Sequence, residues 1–247
     1  MPPLGMHMTI ARELAGRIGH AALAAEEGAY YLGATAPDIR VLTRWERSRT
    51  HFFDLDHFDH QRGVARIFEA HPELANAACL SPPTVAFLCG YITHLEMDEE
   101  WICGVYRPCF GERSPLKGGA LANVLDRILQ FELDKQERSD PGVVNEIRDR
   151  LLDSPVDIVT PLIERETLLE WRDITADAVT REPDIRRLAS RHLRAYGVES
   201  EDDVAEFVKS VPDLLEQAVL EVTPDRIDAF QQRARERAVE SVREFLS

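Results

Sequence analysis

Two residues of one segment, GYITHLEMDEEW at residues 90–101, could bind a metal ion together. The segment has helical, mostly apolar spacing, but it contains His94 and, four residues later, Asp98. A four-residue step in an α-helix rotates by about 40° and rises about 6 Å, so both side chains project from one face. An imidazole and a carboxylate at that spacing suit a divalent ion such as zinc. A buried hydrogen bond between the two side chains explains the same pattern without a metal.

Three further ligand-type residues lie upstream of this pair. Asp38 follows proline in YLGATAPDIR, His51 lies in SRTHFF, and His7 lies in LGMHMTIAREL, just ahead of the first predicted helix. Each is at a predicted element boundary, from which a side chain can point into a shared cleft. We therefore predict one cluster that joins these residues to the His94–Asp98 pair, with His7 at its edge.

In this order, the motifs resemble those of the zinc-dependent phospholipase C family, which is structurally akin to the S1/P1 nucleases. The matched pieces are His7, the segments GATAPD and THF, and GYITH with the aspartate that follows it; they cover about residues 7–101. The resemblance implies an all-α, multi-helix bundle of the phospholipase C/P1 nuclease type. It also implies a metal-dependent hydrolase that attacks phosphoester bonds.

The resemblance further implies a role for each candidate ligand. One zinc ion would be held by Asp38, His51, His94 and Asp98. His7 would bind a second zinc ion, which Asp98 would bridge to the first. Secreted members also place the free amino terminus on the second ion, whereas six residues precede His7 here. The family's third zinc needs another histidine and an H-x-x-x-E pair, but this chain has no histidine between His94 and His192, so we expect one or two ions.

Zinc is the expected cofactor, and iron, manganese or nickel are alternatives because the ligands mix nitrogen and oxygen. Asp98 would be the bridging catalytic residue, and Asp38 would serve as a ligand or as a general base. Arg40 and Arg44 flank the motifs and could neutralise a substrate phosphate. Two histidines of the segment DLDHFDHQ, His57 and His60, could complete an alternative site or orient the ligands.

Composition limits the classes of partner. Acidic residues number 44 and basic residues 29, which gives a formal net charge of −15. Such a charge repels nucleic-acid backbones and anionic lipids, so we expect no nucleic acid and no stable membrane association. No apolar stretch approaches the roughly 20 residues of a membrane span, and no secretory signal is recognisable, so the expected location is cytoplasmic. The expected partner is a small-molecule or soluble phosphoester; the oligomeric state stays open.

Apolar residues recur with helical spacing nearly everywhere, and no run alternates as a strand would. In the last part of the chain, Thr223 and Pro224 predict the start of a long helix, whereas Pro212 should end or kink the preceding one. Without a long flexible linker, residues 1–247 are predicted to form a single all-helical domain. It would have a metal-site half of about residues 1–110 and a helical remainder of about residues 111–247.

Two other functions stay open at this stage. One is a metalloenzyme of another reaction class, in which the same site polarises an oxygen of a small metabolite. The other is a non-catalytic helical protein that keeps a metal for stability or binds a partner. Several familiar motifs are absent from the sequence: the G-x-x-x-x-G-K-[ST] phosphate loop, G-x-G-x-x-G, the G-x-S-x-G nucleophile elbow and an adjacent His-Asp pair.

Overall fold

The computed structural model describes residues 2–54, 60–192 and 200–247, without the side chains of residues 188 and 190–192. Within these ranges the chain forms thirteen α-helices and no strand, which confirms the all-α prediction. The helices are α1 Leu4–Ile18, α2 Ala21–Ala25, α3 Glu27–Gly33, α4 Arg40–Thr43, α5 Arg47–His51, α6 Gly63–Ala70, α7 Pro82–Trp101, α8 Ala120–Glu137, α9 Pro141–Asp153, α10 Arg165–Thr180, α11 Ile185–His192, α12 Glu201–Val222 and α13 Pro224–Leu246. Short 3₁₀ turns cover Ala36–Ile39, Pro72–Leu74 and Ala77–Cys79, and a π-helical segment covers Ile102–Phe110.

Helix α7 is the central element of the molecule. It begins with two prolines, which lack the backbone N–H groups that the first turn of a helix leaves unpaired. Every residue from Thr84 to Trp101 is buried, so the helix is covered on all sides and not only along one stripe. Its main neighbours are α3 and α13. Polar side chains on α7 therefore lie in the interior, where each needs a partner.

Two large apolar clusters form most of the core of the described residues, and a small third one contains Ala189 and Val204. One joins α3, α7, α9 and α10 and includes Tyr30, Phe87 and Trp171. The other joins α1, α8, α12 and α13 with the end of α7 and includes Trp101 and Phe230. Helix α1 contributes residues to both clusters, so it is held on two sides.

The last two helices agree only in part with the sequence prediction. Helix α13 begins at Pro224, as predicted, with Thr223 in the N-cap position but without a capping hydrogen bond from its side chain. Pro212 does not end the preceding helix, because α12 continues to Val222. Proline costs a helix one backbone hydrogen bond. Packing of Val204 and Ala218, on either side of Pro212, holds the helix to its neighbours.

Among the described helices, none has the length and the apolar character needed to cross a membrane. The division into a metal-site half and a helical remainder, and the closer likeness to a phospholipase C bundle, stay predictions.

Candidate metal centre

Helix α7 places His94 and Asp98 side by side, as their spacing requires. The Nε2 atom of His94 lies 3.5 Å from Oδ2 of Asp98, and both side chains have no solvent exposure. Because α7 is buried on all sides, this pair lies in the interior of the bundle.

The orientation of His94 depends on a close crossing of α3 and α7. Its Nδ1 atom lies 2.8 Å from the carbonyl oxygen of Ala34. A carbonyl only accepts hydrogen bonds, so Nδ1 carries the proton and Nε2 presents a lone pair toward Asp98 when the ring is neutral. The crossing requires glycine: a Cβ atom on Gly90 would lie 2.0 Å from the Tyr30 carbonyl oxygen, and one on Gly33 would lie 1.9 Å from that of Phe87.

Asp38 belongs to the 3₁₀ turn Ala36–Ile39, which follows α3. The turn is anchored through Thr35, whose backbone oxygen accepts a hydrogen bond from the Asp38 N–H at 3.0 Å. The Thr35 hydroxyl in turn accepts one from the Trp171 indole at 3.2 Å. Asp38 Oδ1 lies 3.6 Å from Nε2 of His51. A side chain from a short turn therefore reaches the cluster because α10 holds the turn in place.

His51 is the last residue of the short helix α5. Phe52, which follows it, has a left-handed backbone conformation (φ 59°) that ends the helix. The Thr50 hydroxyl lies 3.4 Å from the Arg47 carbonyl, to which it can donate, and 3.0 Å from His51 Nδ1, from which it can accept. With Nδ1 engaged in this way, Nε2 of His51 faces Asp98 Oδ2 at 3.2 Å. The Tyr91 hydroxyl holds the segment by donating to the Thr50 carbonyl.

His7 differs from its predicted position. It lies inside α1, not ahead of that helix, and it is completely buried, not at the edge of the cluster. Its ring stacks on that of His94 with 3.8 Å between centroids, and its Nε2 lies 3.4 Å from Asp98 Oδ1. The helix starts earlier than predicted because a distant residue caps it: Asp134 of α8 accepts a hydrogen bond from the Met6 N–H at 2.7 Å. A local pattern contains no sign of this contact.

Several atoms that face the centre of this cluster are buried without a hydrogen-bond partner among the described residues. They are Nδ1 and Nε2 of His7, Nε2 of His51, Nε2 of His94 and Oδ1 of Asp98. Burying such atoms unpaired is costly, so their convergence indicates a missing ligand. Two overlapping groups could hold a metal ion, each with its ligand atoms within 4.8 Å of one another: His7, His94 and Asp98, and Asp38, His51 and His94.

The cluster shifts the acidities of its members. Burial raises the pKa of Asp98, but the neighbouring charge of His94 and the nearby imidazoles of His51 and His7 hold it well below its usual range. Burial also raises the pKa of Asp38, but His51 and His94 outweigh it and lower the value to about 2. Burial, with His94 alongside, lowers the pKa of His7 to about 4. Ionised carboxylates and a neutral His7 are the protonation states that metal ligation requires. Burial lowers the pKa of His94, but Asp98 and Asp38 outweigh burial and raise it, so a metal ion would have to displace a proton from this ring.

Sequence reasoning missed a sixth member of the cluster, Arg47. Its Nη2 donates to Asp98 Oδ2 at 3.1 Å, and its guanidinium carbon lies 5.0 Å from the centre of the Phe53 ring. Burial lowers the pKa of Arg47, although Asp98 and Asp38 oppose the shift. The sequence signal for Arg47 is its position four residues before His51, a spacing that places both side chains on one face of a helix.

The two arginines proposed from the sequence have other surroundings. Arg40 is half-buried, and its Nε lies 3.4 Å from the carbonyl oxygen of Trp45, to which it donates. Arg44 is exposed and ends α4 in a left-handed conformation with φ 61°. Of Arg40, Arg44 and Arg47, it is Arg47 that contacts a candidate metal ligand, through its hydrogen bond to Asp98.

Of the two histidines in the segment DLDHFDHQ, the structure describes His60. His60 is exposed and lies beside two glutamates of α7, 3.9 Å from Glu99 and 3.6 Å from Glu100. His57 lies outside the described residues, as does the side chain of His192.

Three other buried carboxylates of α7 have protein partners. Glu96 accepts hydrogen bonds from Arg237 and Ser241 of α13, at 2.9 Å and 2.7 Å. Glu100 accepts one from Arg233, also on α13, at 3.2 Å. Glu99 accepts backbone N–H groups at the start of α6, including that of Arg62 at 3.0 Å. These contacts explain the acidic sequence around Asp98 and separate structural carboxylates from candidate ligands.

Comparison of the chain with protein-family models, with curated proteins and with solved structures finds no match in any of the three. The resemblance to the zinc-dependent phospholipase C family therefore rests on the short motifs between residues 7 and 101, and the roles that it implies stay predictions.

Proposed function

We propose that this protein is a metal-dependent hydrolase that acts on a phosphoester of a small or soluble substrate. The observation that carries the proposal is the convergence of imidazole nitrogens and a carboxylate oxygen that are buried without hydrogen-bond partners among the described residues. A cation at their centre would satisfy these atoms together.

The ligands divide into two sets around Asp98. Its Oδ1 faces His7, whereas its Oδ2 faces His51 and His94. This division supports a bridging role for Asp98 and a site for one or two ions. We propose zinc, because imidazole and carboxylate ligands together suit it, with iron, manganese or nickel as alternatives.

When bound, the ion supplies positive charge that acidifies water and offsets the charge that develops on phosphoryl oxygens. Asp38 is the candidate ligand nearest to solvent, since its side chain is 16% exposed while those of His51, His94 and Asp98 are not exposed. In this proposal Asp38 binds the ion from the solvent side of the site, and general-base catalysis stays its alternative role.

The reaction class rests on the family resemblance, and the substrate class rests on charge. A net charge of −15 disfavours nucleic acids and anionic membranes as substrates. A small phosphoester can still approach, because the local charge of a metal centre and of Arg47 is positive. We propose that the protein acts on such substrates in the cytoplasm.

A second candidate function is a metal kept for stability alone. The observation that favours it is the complete burial of His7, His51, His94 and Asp98, since structural zinc sites are closed to solvent. The partial exposure of Asp38 and Arg47 at 16% and 12% favours a catalytic site instead, because it leaves a route from solvent.

The test is a panel of phosphomonoesters and phosphodiesters, assayed with added zinc and with added manganese. We expect turnover by the wild-type protein and a loss of at least about 10²–10³-fold in Asp98→Asn, because the variant would hold less well the cation that stabilises the developing charge. Asp126→Asn is the matched control: Asp126 is also buried, but it accepts from Trp101 and Gln130, at 3.1 Å and 2.8 Å.

Two outcomes would contradict the proposal. If metal-loaded protein turns over none of the esters, the hydrolase proposal is wrong. A metal kept for stability, or a metalloenzyme of another reaction class, would then explain the site better. Equal activity in Asp98→Asn and wild type would remove Asp98 from the reaction.

A further inference from the structure

Arg47 and Asp38 are the partly exposed members of the cluster. Their side chains are 12% and 16% exposed, whereas those of His51, His94 and Asp98 have no exposure. Within the described residues, a molecule that approaches the cluster from solvent therefore meets these two side chains first. One of them is anionic and is a candidate metal ligand; the other is a cation.

The guanidinium of Arg47 is held in place but is not saturated. Stacking on Phe53, at 5.0 Å from the ring centre, and one hydrogen bond to Asp98 Oδ2 fix its plane. Its Nε is buried and has no hydrogen-bond acceptor among the described residues. Leaving such a donor unpaired is costly, so its position indicates an acceptor that the described residues do not provide.

The chemistry of that acceptor follows from the shape of the donor. A guanidinium presents several N–H groups in a planar fork that matches two oxygens of a carboxylate or a phosphate. Both aspartates of the cluster already have partners, since Asp98 faces three imidazoles and Asp38 faces His51. An external oxyanion would pair Arg47 without removing either carboxylate from the cluster.

We infer that Arg47 binds the phosphoryl oxyanion of the substrate, beside the metal centre. This inference rests on the proposed function, and it narrows the substrate to an ester whose phosphoryl group carries negative charge. It also reassigns the substrate-binding role from Arg40 and Arg44, whose side chains are directed elsewhere or exposed, to a residue in contact with Asp98.

The test measures binding of inorganic phosphate to protein that has been loaded with zinc and freed of excess metal, by titration calorimetry. We expect Arg47→Met to weaken phosphate binding by about 10- to 100-fold, the effect of losing a hydrogen bond to a charged group. Bound zinc is measured on the same samples. Arg49→Met is the matched control, because Arg49 is on the same helix and stacks on Trp45 at 3.6 Å but is exposed.

Arg47→Lys keeps the positive charge beside Asp98 but removes the planar set of guanidinium N–H donors. This variant therefore tests the inference if Arg47→Met does not fold. Weaker phosphate binding with zinc retained supports the inference. Unchanged phosphate binding in a zinc-loaded variant overturns it and leaves the proposed function intact. Loss of zinc from both variants would show that Arg47 only positions Asp98. If wild-type protein takes up no metal, the proposed function fails and the inference falls with it.

Discussion

Asp98 is the residue on which the candidate site depends. Its two oxygens face His7, His51 and His94, and Arg47 donates to one of them. A fully buried carboxylate is strongly destabilising unless positive charge or hydrogen-bond donors surround it. The arrangement supplies a guanidinium and imidazoles, yet several inward-facing atoms stay unpaired among the described residues. A bound cation would pair these inward-facing atoms.

At the residue scale, Thr50→Val tests whether the partner of His51 tunes metal binding. The hydroxyl lost in this variant lies 3.0 Å from Nδ1 of His51 and fixes which nitrogen faces Asp98. Residues that orient a ligand in this way contribute about 10- to 100-fold to metal affinity, so we expect a loss of that size. Zinc affinity is measured by competition with a chelator.

Thr93→Val is the control for this measurement. Thr93 is also buried, but its hydroxyl pairs with Tyr30 and with the Cys89 carbonyl, at 3.2 Å and 2.9 Å. Equal zinc affinities in the two variants would show that Thr50 does not orient a ligand.

At the scale of elements, four segments that are distant in sequence meet at the site: α1, the turn after α3, α5 and α7. Each is fixed by a contact outside the ligand set. Asp134 caps α1, Trp171 anchors the turn through Thr35, and Tyr91 holds the end of α5. The crossing of α3 and α7 then brings the Ala34 carbonyl to His94.

Gly90→Ala tests the role of that crossing. The added methyl would lie 2.0 Å from the Tyr30 carbonyl and 2.6 Å from the Ala34 N atom, so the two helices must separate. We expect a loss of about 1–3 kcal/mol or more in the free energy of unfolding, as for other overpacked cores, measured by urea denaturation. Zinc affinity should fall too, because the Ala34 carbonyl orients His94.

The matched substitution is Gly16→Ala. Gly16 lies in α1, is exposed, and has no atom within 4 Å of an added Cβ. Alanine favours a helix over glycine by up to about 1 kcal/mol, so this variant should be as stable as wild type or more so. A Gly90→Ala protein of wild-type stability would mean that the helices separate without cost.

At the scale of the whole molecule, α7 ties the bundle together through its carboxylates as well as its apolar surface. Glu96 and Glu100 bind arginines of α13, and Glu99 binds the start of α6. The ligands come from the same helix and from elements packed around it. Binding at the centre therefore links α1, α5 and α7, and it should raise the stability of the whole bundle.

We expect zinc to raise the thermal midpoint of unfolding. A ligand at a concentration 100 times its dissociation constant stabilises the folded state by about 2.7 kcal/mol, which corresponds to about 5–10 °C for a chain of this size. Scanning calorimetry with and without zinc measures the shift. His94→Ala should abolish it and His192→Ala should keep it, since His192 lies outside the ligand motifs; a shift that survives in His94→Ala would place the zinc elsewhere.

The sequence by itself determined those features that depend on local spacing. Helical periodicity predicted the all-α fold, and the four-residue step predicted that His94 and Asp98 share a face, because the geometry of one helix decides both. The sequence also identified Asp38 and His51 as candidate ligands. Their residue type and their order among the motifs made them candidates, and neither depends on packing.

Only the tertiary structure decided the features that rest on distant contacts. His7 is buried inside α1 because Asp134 caps the helix at Met6, 128 residues earlier in the chain. Arg47 belongs to the site because α5 packs its side chain onto Asp98 and Phe53. Glu96, Glu99 and Glu100 have other roles because α6 and α13 supply their partners. Such pairings are set by how helices pack, and no single segment of the chain contains both partners.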